Sequence, residues 1–318
     1  MGNEAFLIIN PNAGRGKGLS VSAMIVHLLG ERGFNVSCHS AGSSEEAENL
    51  VAEALRGGAR HLIAAGGDGT FHDVANGIMK QTEVPSREVR LSMIPLGTGN
   101  DWCKMYGIPA DMEQVAEVIR DGQTRLQDVG CVSFLTEGQS IQRYFINIAG
   151  IGMDARVVYD TNRRKARGRG GRAAYLISLL QATFSYRSIP VKIEVDGREV
   201  FNDLLYSANV GICRFSGGGM QQVPEALPDD GLFDITLIRK VSKMKVLINS
   251  PRLYDGSFVR MKEVSLHRGS KVAVNSVPEL LLEADGESLG HPPFVFEILR
   301  GALCISVPLT YRPPDGDS

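Results

Sequence analysis

The chain has 318 residues, 43% of them hydrophobic and 22% charged, with a formal net charge of −2. That is the composition of a globular protein too long for one typical core, so two domains are expected, and the charge gives no bulk attraction for nucleic acid. Five scattered cysteines (Cys38, Cys103, Cys131, Cys213, Cys304) form no CxxC pair and six histidines show no HExxH spacing, which excludes a disulfide framework, a zinc cluster and a His-based metal site and points to a reduced, cytoplasmic protein.

The chain goes straight into a strand at Ala5–Ile9, without the basic and apolar regions of a leader. No apolar run approaches the ~20 residues that span a bilayer, so lipid is expected to be met from the water side. After Gly14-Arg15-Gly16-Lys17-Gly18, residues Val21, Met24, Ile25, Leu28 and Leu29 recur at helical spacing, and Gly33 stops that helix. A short strand at Val36–Cys38 follows. Ser43 and Glu46 then predict a capping box, Ala47, Leu50, Val51, Ala54 and Leu55 line one helix face, and Gly57-Gly58 ends it. Next come a strand at Leu62–Ala65, a helix through Phe71, Val74, Ile78 and Met79, and a strand at Leu91–Ile94. Asp111 caps a helix ending near Gly122. This βαβαβ order predicts a parallel sheet with helices on both faces.

From about Gln127 strand follows strand: Gly130–Leu135, Arg143–Ile148, Val191–Val195, Leu204–Val210, Phe233–Arg239, Lys271–Val274, Leu280–Glu283, Val295–Leu299 and Ala302–Val307. Asp196-Gly197 is a hairpin turn signal, and helices interrupt only near Arg172–Tyr186 and Ser242–Leu253. The expectation is an α/β domain over 1–127 and an all-β sandwich over 128–303. The final strand, near 304–311, is expected to return to the first domain, and 312–318 to be a frayed Pro-, Gly- and Asp-rich tail.

Three glycine-rich polar loops follow three strands of the first domain: Asn10-Pro11-Asn12-Ala13-Gly14, Gly66-Gly67-Asp68-Gly69-Thr70 and Gly97-Thr98-Gly99-Asn100-Asp101. Each taken alone is also an ordinary βα turn. In an open α/β sheet, however, such loops share the edge where ligands bind. Bared N–H groups and helix N-termini there favour phosphate, and Asp68 would repel a phosphate unless a divalent cation stood between them. Farther on, Leu280–Glu287 brings Asp285 and Glu287 to the end of an apolar strand, a pair suited to metal binding or to accepting a hydroxyl proton, and equally a polar hairpin turn. Leu227–Asp234 reads as an Asp-Gly turn or a hard-cation site. Arg163, Arg164, Lys165, Arg167, Arg169 and Arg172 precede the apolar Tyr175, Leu176, Ile177, Leu179, Leu180 and Phe184. That order suits an anionic membrane surface or a solvated loop before a core helix.

Taken together these motifs resemble the bacterial diacylglycerol/lipid kinase family, whose catalytic domain is related to those of sphingosine and ceramide kinases. The resemblance spans most of the chain and rests on Asn10–Gly14, Gly66–Thr70 with Asn76-Gly77, Pro95–Asp101, Asn147–Asp154, Asn209-Val210-Gly211, Gly217–Met220, Pro228–Phe233 and Asp285-Gly286-Glu287. It implies an N-terminal nucleotide domain like that of NAD kinases and phosphofructokinases, then a β-sandwich, with ATP held over Asn10, Pro11, Asn12, Ala13, Gly14, Gly66, Gly67, Asp68, Gly69, Thr70, Phe71, His72 and Thr98. Glu287 matches the family's proton acceptor, with Asp285 beside it, Asp68 organises magnesium, and Leu227, Asp230 and Leu232 match a structural magnesium site. The implied function is ATP- and Mg2+-dependent phosphorylation of a lipid hydroxyl in lipid metabolism, by a cytoplasmic protein peripheral at the inner membrane surface, with a homodimer left open. The chain departs from the family in reading His39-Ser40-Ala41-Gly42 where a nucleotide-contacting Thr is common, and Asp73 where Glu is common. An NAD kinase-like phosphotransferase and a non-catalytic lipid- or nucleotide-binding protein are the alternative readings.

Overall fold

The computed structural model describes residues 4–16, 18–167, 172–277 and 280–313. Lys17, Arg169 and the tail from 314 lie outside them, as do the side chains of Arg15, Lys165, Arg172, Tyr175, Leu176, Ile177 and Leu180. The chain divides into two compact units: Met1–Val129 with Gly217–Gly219 and Arg300–Ser318, and Gly130–Ser216 with Met220–Leu299.

The first unit is the α/β one. Its elements in chain order are β1 (Glu4–Ile9), α1 (Ala13–Gly16), α2 (Gly18–Glu31), β2 (Asn35–Ser40), α3 (Ser44–Arg56), β3 (His61–Gly66), α4 (Asp68–Lys80), β4 (Arg90–Pro95), α5 (Asp101–Tyr106), α6 (Met112–Asp121) and the start of β5 (Gln123–Thr136). β2, β1, β3 and β4 lie side by side in parallel, so their following turns gather at one sheet edge. Leu7, Ile9, Ile63, Ala65 and Ile94 point to one sheet face, where Ile25, Leu28 and Leu29 of α2 and Val115, Ala116 and Ile119 of α6 cover them. Ser43 caps α3 by accepting from Glu46 N at 3.2 Å, and Asp111 caps α6 by accepting from Gln114 N at 3.1 Å.

The second unit is a β-sandwich with helical insertions. It holds β6 (Gln139–Phe145), β7 (Ile148–Gly152), α7 (Met153–Ala166), α8 (Arg172–Ser185), β8 (Ile189–Val195), β9 (Arg198–Gly211), β10 (Phe215–Ser216), β11 (Met220–Gln221), β12 (Phe233–Arg239), α9 (Lys243–Asn249), β13 (Val264–Gly269), β14 (Lys271–Ser276), β15 (Leu282–Ala284), β16 (Glu287–Ser288) and the first part of β17 (His291–Val307). β9 is its spine: the first half pairs with β8, and the second half lies between β7 and β12 and is buried throughout. The β8–β9 turn is Asp196-Gly197, both at positive φ (47° and 77°), as a two-residue hairpin with the native twist requires.

Three features differ from the sequence expectation. The segment read as motif and basic loop is helix α7, whose buried apolar side chains, among the described ones, are Met153, Ala155 and Val157, too few for a clear apolar period. β13 was not expected, because its Val264-Ser265-Leu266-His267 alternation is only four residues long and most of its residues are partly or fully exposed. The two strands expected at Val295–Leu299 and Ala302–Val307 are one strand, β17, which passes through Gly301 at φ 54°. Its final part belongs to the first unit, where Cys304 and Ile305 pair in parallel with Arg90 and Leu91 of β4.

Helices α3 and α4 approach closely through Gly77, where a Cβ would stand 2.9 Å from Val51 Cβ and 3.1 Å from Glu48 Cα. Gly30 in α2 has nothing within 4 Å of the same position. Gly77→Ala is therefore expected to destabilise by about 1–3 kcal/mol despite its better helix propensity, whereas Gly30→Ala stabilises by about 0.5–1 kcal/mol. Urea midpoints of the two variants check both signs.

Candidate active site

At the carboxyl edge of the first unit's sheet the three loops are bonded to one another. Asn10 donates from its backbone N to Ala65 O at 3.0 Å and from Nδ2 to Thr70 Oγ1 at 3.3 Å. Its own Oδ1 accepts from Asn12 N at 2.8 Å, which turns the loop back, and Gly14 closes it at φ 60°. Gly66 O accepts from both Leu96 N (2.7 Å) and Gly97 N (3.1 Å). A Cβ at Gly97 would stand 2.6 Å from Gly67 Cα, so the two turns meet this closely because residue 97 is glycine.

Asp68 opens α4, and its N-cap, Gly67, has no side chain to satisfy the first N–H groups. The helix end therefore offers donors and a partial positive charge to an anion. Asp68 Oδ1 accepts from Trp102 N at 3.2 Å, tying the second loop to α5. Asp101 is nearly buried, with Oδ1 on Lys104 Nζ at 2.6 Å and Oδ2 accepting from Gly218 N at 2.7 Å. The loop Gly217–Gly219, all three at positive φ, thus closes on this edge within the first unit. Lys104 is a cation here that sequence reasoning missed; its only signal was its spacing three after Asp101.

Of the residues expected at a nucleotide, Asn10, Pro11, Asn12, Ala13, Gly14, Gly67, Asp68, Gly69 and Thr98 keep surface at this edge, while Gly66 and Thr70 are buried in its floor. Phe71 and His72 are fully buried. Phe71 packs on Trp102 at 4.1 Å, and Trp102 Nε1 and Tyr106 OH both donate to Gln127 Oε1 at 2.8 Å, so these residues stiffen the edge from beneath.

The carboxylates expected to act on a hydroxyl lie in the second unit. Asp285 and Gly286, both at positive φ, form the two-residue turn between β15 and β16. Asp285 Oδ2 accepts from Ile146 N at 2.8 Å, and Oδ1 accepts from Asn147 N and Ile148 N at 3.0 and 3.1 Å. Asp285 is thereby a clamp on the start of β7. Glu283 Oε2 accepts from Gly286 N at 2.8 Å, and Asn162 Nδ2 of α7 donates to Gly286 O at 3.0 Å. Glu287 stands exposed on this pinned turn.

Two buried carboxylates support this region, and their neighbours were not visible as a set in the sequence. Asp154, at the head of α7, accepts from Ser207 Oγ, from Asn209 Nδ2 at 3.1 Å and from Gln222 Nε2 at 3.3 Å. Burial raises its pKa above the ordinary 3.8, against those hydrogen bonds. Burial raises Glu283 well above its ordinary 4.5, with the Asp285 and Asp154 charges adding to it. Both side chains flank Gly150, where a Cβ would stand 2.6 Å from Glu283 Oε1 and 3.2 Å from Asp154 Cβ. Asp154, Ser207, Asn209 and Gln222 form the polar floor of a mostly apolar cavity of about 150 Å³, walled by Met153, Leu179, Ile238, Val246, Leu247 and Phe258 among others.

Leu227, Asp230 and Leu232 lie together in one turn. Asp230 Oδ1 accepts from Leu232 N at 2.9 Å and Oδ2 pairs with Arg268, which also reaches Asp234 Oδ1 at 3.1 Å. Among the described residues no cluster of three acidic, His or Cys side chains forms a cation cage. A divalent ion held by Asp230 and the carbonyls of Leu227 and Leu232 would have to share Asp230 with the Arg268 guanidinium.

A parallel α/β unit with phosphate-type loops, joined to a β-sandwich carrying a carboxylate hairpin, is the build of a two-domain phosphotransferase. Family comparison agrees. The model described as diacylglycerol kinase catalytic domain matches residues 4–132, and that described as YegS C-terminal NAD kinase beta sandwich-like domain matches residues 147–307. A diacylglycerol kinase of Mycobacterium tuberculosis (strain CDC 1551 / Oshkosh) is 31% identical over 302 residues, covering 95% of this chain and 94% of its own. One of Bacillus subtilis (strain 168) is 29% identical over 306 residues, covering 96% of each. The crystal structure of a diacylglycerol kinase from Bacillus anthracis str. Sterne matches the fold with a TM-score of 0.72 at 21% identity, covering 98% of each chain. The chain belongs to the diacylglycerol kinase family and is a kinase.

The clamp and the exposed acid are separable by stability. Asp285→Ala leaves three N–H groups without their carboxylate and is expected to cost at least about 2 kcal/mol in denaturant unfolding, whereas Glu287→Gln stays within about 0.5 kcal/mol of wild type. Glu283 binds its proton more tightly folded than unfolded, so its contribution is favourable below the ordinary carboxylate range and is lost as pH rises through its raised folded pKa. Glu283→Gln is therefore expected to raise the melting temperature at alkaline pH, with the gain fading toward pH 4.

Proposed function

We propose that this kinase transfers the γ-phosphoryl group of ATP, with magnesium, to a hydroxyl of a lipid such as diacylglycerol, working as a cytoplasmic protein peripheral at the inner membrane surface. The single observation that carries the reading is the pairing of two kinds of site in one chain: a phosphate-type edge in the first unit, and in the second an apolar cavity with a polar floor beside a carboxylate hairpin. The names of the relatives point the same way.

The loops Asn10–Gly14 and Gly66–Thr70, with Thr98, would present backbone N–H groups to the phosphates, and the α4 N-terminus adds its partial charge. The donors fit magnesium, which takes one or two carboxylates and leaves its other positions to phosphate oxygens and water. Asp68 Oδ2 and Asp101 Oδ2 lie 3.0 and 3.6 Å from the Cβ position that Gly99 leaves empty. Asp68 would hold the ion, because Asp101 is already committed to Lys104 and Gly218. Such an ion would supply charge neutralisation at the phosphate oxygens.

Glu287 would accept the hydroxyl proton late. An alcohol is too weakly acidic for an exposed carboxylate to deprotonate in advance, so most of the rate comes from positioning and charge neutralisation. Asp285 acts on Glu287 through the turn, as a positioning residue. The cavity would take a short stretch of the lipid: about 150 Å³ suits a benzene-sized apolar group, not a whole acyl chain. Its floor of Asp154, Ser207, Asn209 and Gln222 offers hydrogen bonds to a glycerol-like end.

The test is label transfer from γ-labelled ATP and magnesium to a lipid panel in mixed micelles, with NAD as a parallel acceptor. Transfer to a lipid is expected, falling by roughly 10²–10⁴-fold in Glu287→Gln and at least as far in Asp68→Ala, with cooperative unfolding kept in both. Transfer to NAD alone would overturn the lipid reading, and wild-type-like turnover in either variant would overturn that residue's role.

A further inference from the structure

Helix α9 has two unlike apolar faces. Val246 and Leu247 line the cavity, while Met244 and Ile248, one turn apart, are 64% and 72% exposed. The exposed face continues sideways: Lys243, at the start of α9, donates from Nζ to the carbonyl of Phe184 near the end of α8, and the Phe184 ring is itself 54% exposed. Phe184 in turn borders a groove lined by Arg156, Arg163, Arg164 and Arg167. The one acid in that lining, Asp160, pairs with Arg156 at 2.8 Å, and Arg163 lies over the Tyr159 ring at 5.7 Å. The surface is thus an apolar strip with a positively charged rim, in which, among the described residues, Arg163, Arg164 and Arg167 have no acidic partner.

We propose that this strip is the membrane-entering surface and that α9 is the wall between bilayer and cavity. Met244, Ile248 and Phe184 insert among acyl chains, and Arg163, Arg164, Arg167 and Lys243 lie against the phosphates of an anionic phospholipid bilayer. Because the inner face of α9 lines the cavity, displacing α9 on insertion opens the cavity to lipid without passage through water. The charge decides between occupants. A second copy docking on the same face would bring like charges together around its apolar centre, whereas an anionic surface complements them. The purpose of the opening rests on the lipid-kinase reading; the docking does not.

The test uses the full chain and vesicles of phosphatidylcholine mixed with phosphatidylglycerol, read by co-sedimentation. Met244→Ser with Ile248→Ser is expected to lower vesicle partition about tenfold or more at every salt concentration, since each buried aliphatic side chain is worth roughly that factor. Arg163→Gln, Arg164→Gln and Arg167→Gln together are expected to remove most of the preference for phosphatidylglycerol and flatten the salt dependence. Ile248→Trp gives a positive readout in a folded protein. The sole native tryptophan, Trp102, is 1% exposed, so quenching of the added one by chain-brominated lipid reports insertion.

Unchanged partition in the serine variant, or no quenching at position 248, overturns the proposal. So does a monomer–dimer equilibrium without lipid that the serine variant abolishes, which would make a second copy the occupant. Partition is read without turnover. A protein inactive on every lipid that still inserts through α9 would sink the lipid-kinase reading alone, and an active lipid kinase whose partition ignores α9 would sink this one alone.

Discussion

The close crossing of two turns, at Gly67 and Gly97, is the constraint on which the phosphate edge depends. Parallel strands β3 and β4 end side by side, and both following turns must bend over the same edge. Gly66 O takes two N–H groups from the neighbouring turn, a bond pair that forms only when the backbones approach to glycine–glycine distance. That approach brings Asp68 within reach of Trp102 N and places Asp101 under the Gly217–Gly219 loop. With a Cβ at Gly97 the strands would still pair, but the two turns would have to move apart, whereas a Cβ at Gly67, 3.3 Å from Gly97 Cα, would ask for only a small shift.

The second unit reaches a comparable rigidity by opposite means. It spends charge where the first unit removes side chains. Asp285 sits in a left-handed conformation and gathers three backbone N–H groups, and Asp154 and Glu283 are buried at a desolvation cost that raises both pKa values. Buried carboxylates of this kind are tolerated when hydrogen bonds saturate them, and they then fix geometry more than they add stability. Here they fix the Asp285-Gly286 turn, so that Glu287, the exposed acid, projects from a backbone that has little freedom to move.

What was legible in the sequence is what local spacing controls. The Ser43 and Asp111 caps, the Asp196-Gly197 hairpin and the glycine loops each depend on residues a few positions apart, and each is where the pattern put it. The illegible parts are of two kinds. Helix α7 and strand β13 carry only short apolar patterns, because one buries few apolar side chains among the described ones and the other lies largely open to solvent. The floor formed by Asp154, Ser207, Asn209 and Gln222 joins residues up to 68 apart in the chain. The motifs at Asn147–Asp154 and Asn209–Gly211 each contained a member of it, but only the fold showed that one carboxylate receives donors from the others.

The helical stretch near Ser242–Leu253 belongs to neither kind. Its helicity was readable, but which of its apolar residues face inward was not, because α9 is only seven residues long and nearly every position is apolar or basic. A helix that short has little stability of its own and depends on what it packs against. Its ties include the Ser242 cap, the bond from Lys243 to the Phe184 carbonyl, the Lys245–Glu263 pair at 2.8 Å and the cavity contacts of Val246 and Leu247. The cavity behind α9, about 150 Å³, is too small for a lipid chain as it stands, and the helix is one of the elements that limit its volume. On the proposed reading, the pinned carboxylate hairpin would give the reacting hydroxyl a fixed place and α9 would be the adjustable wall for the chain that carries it.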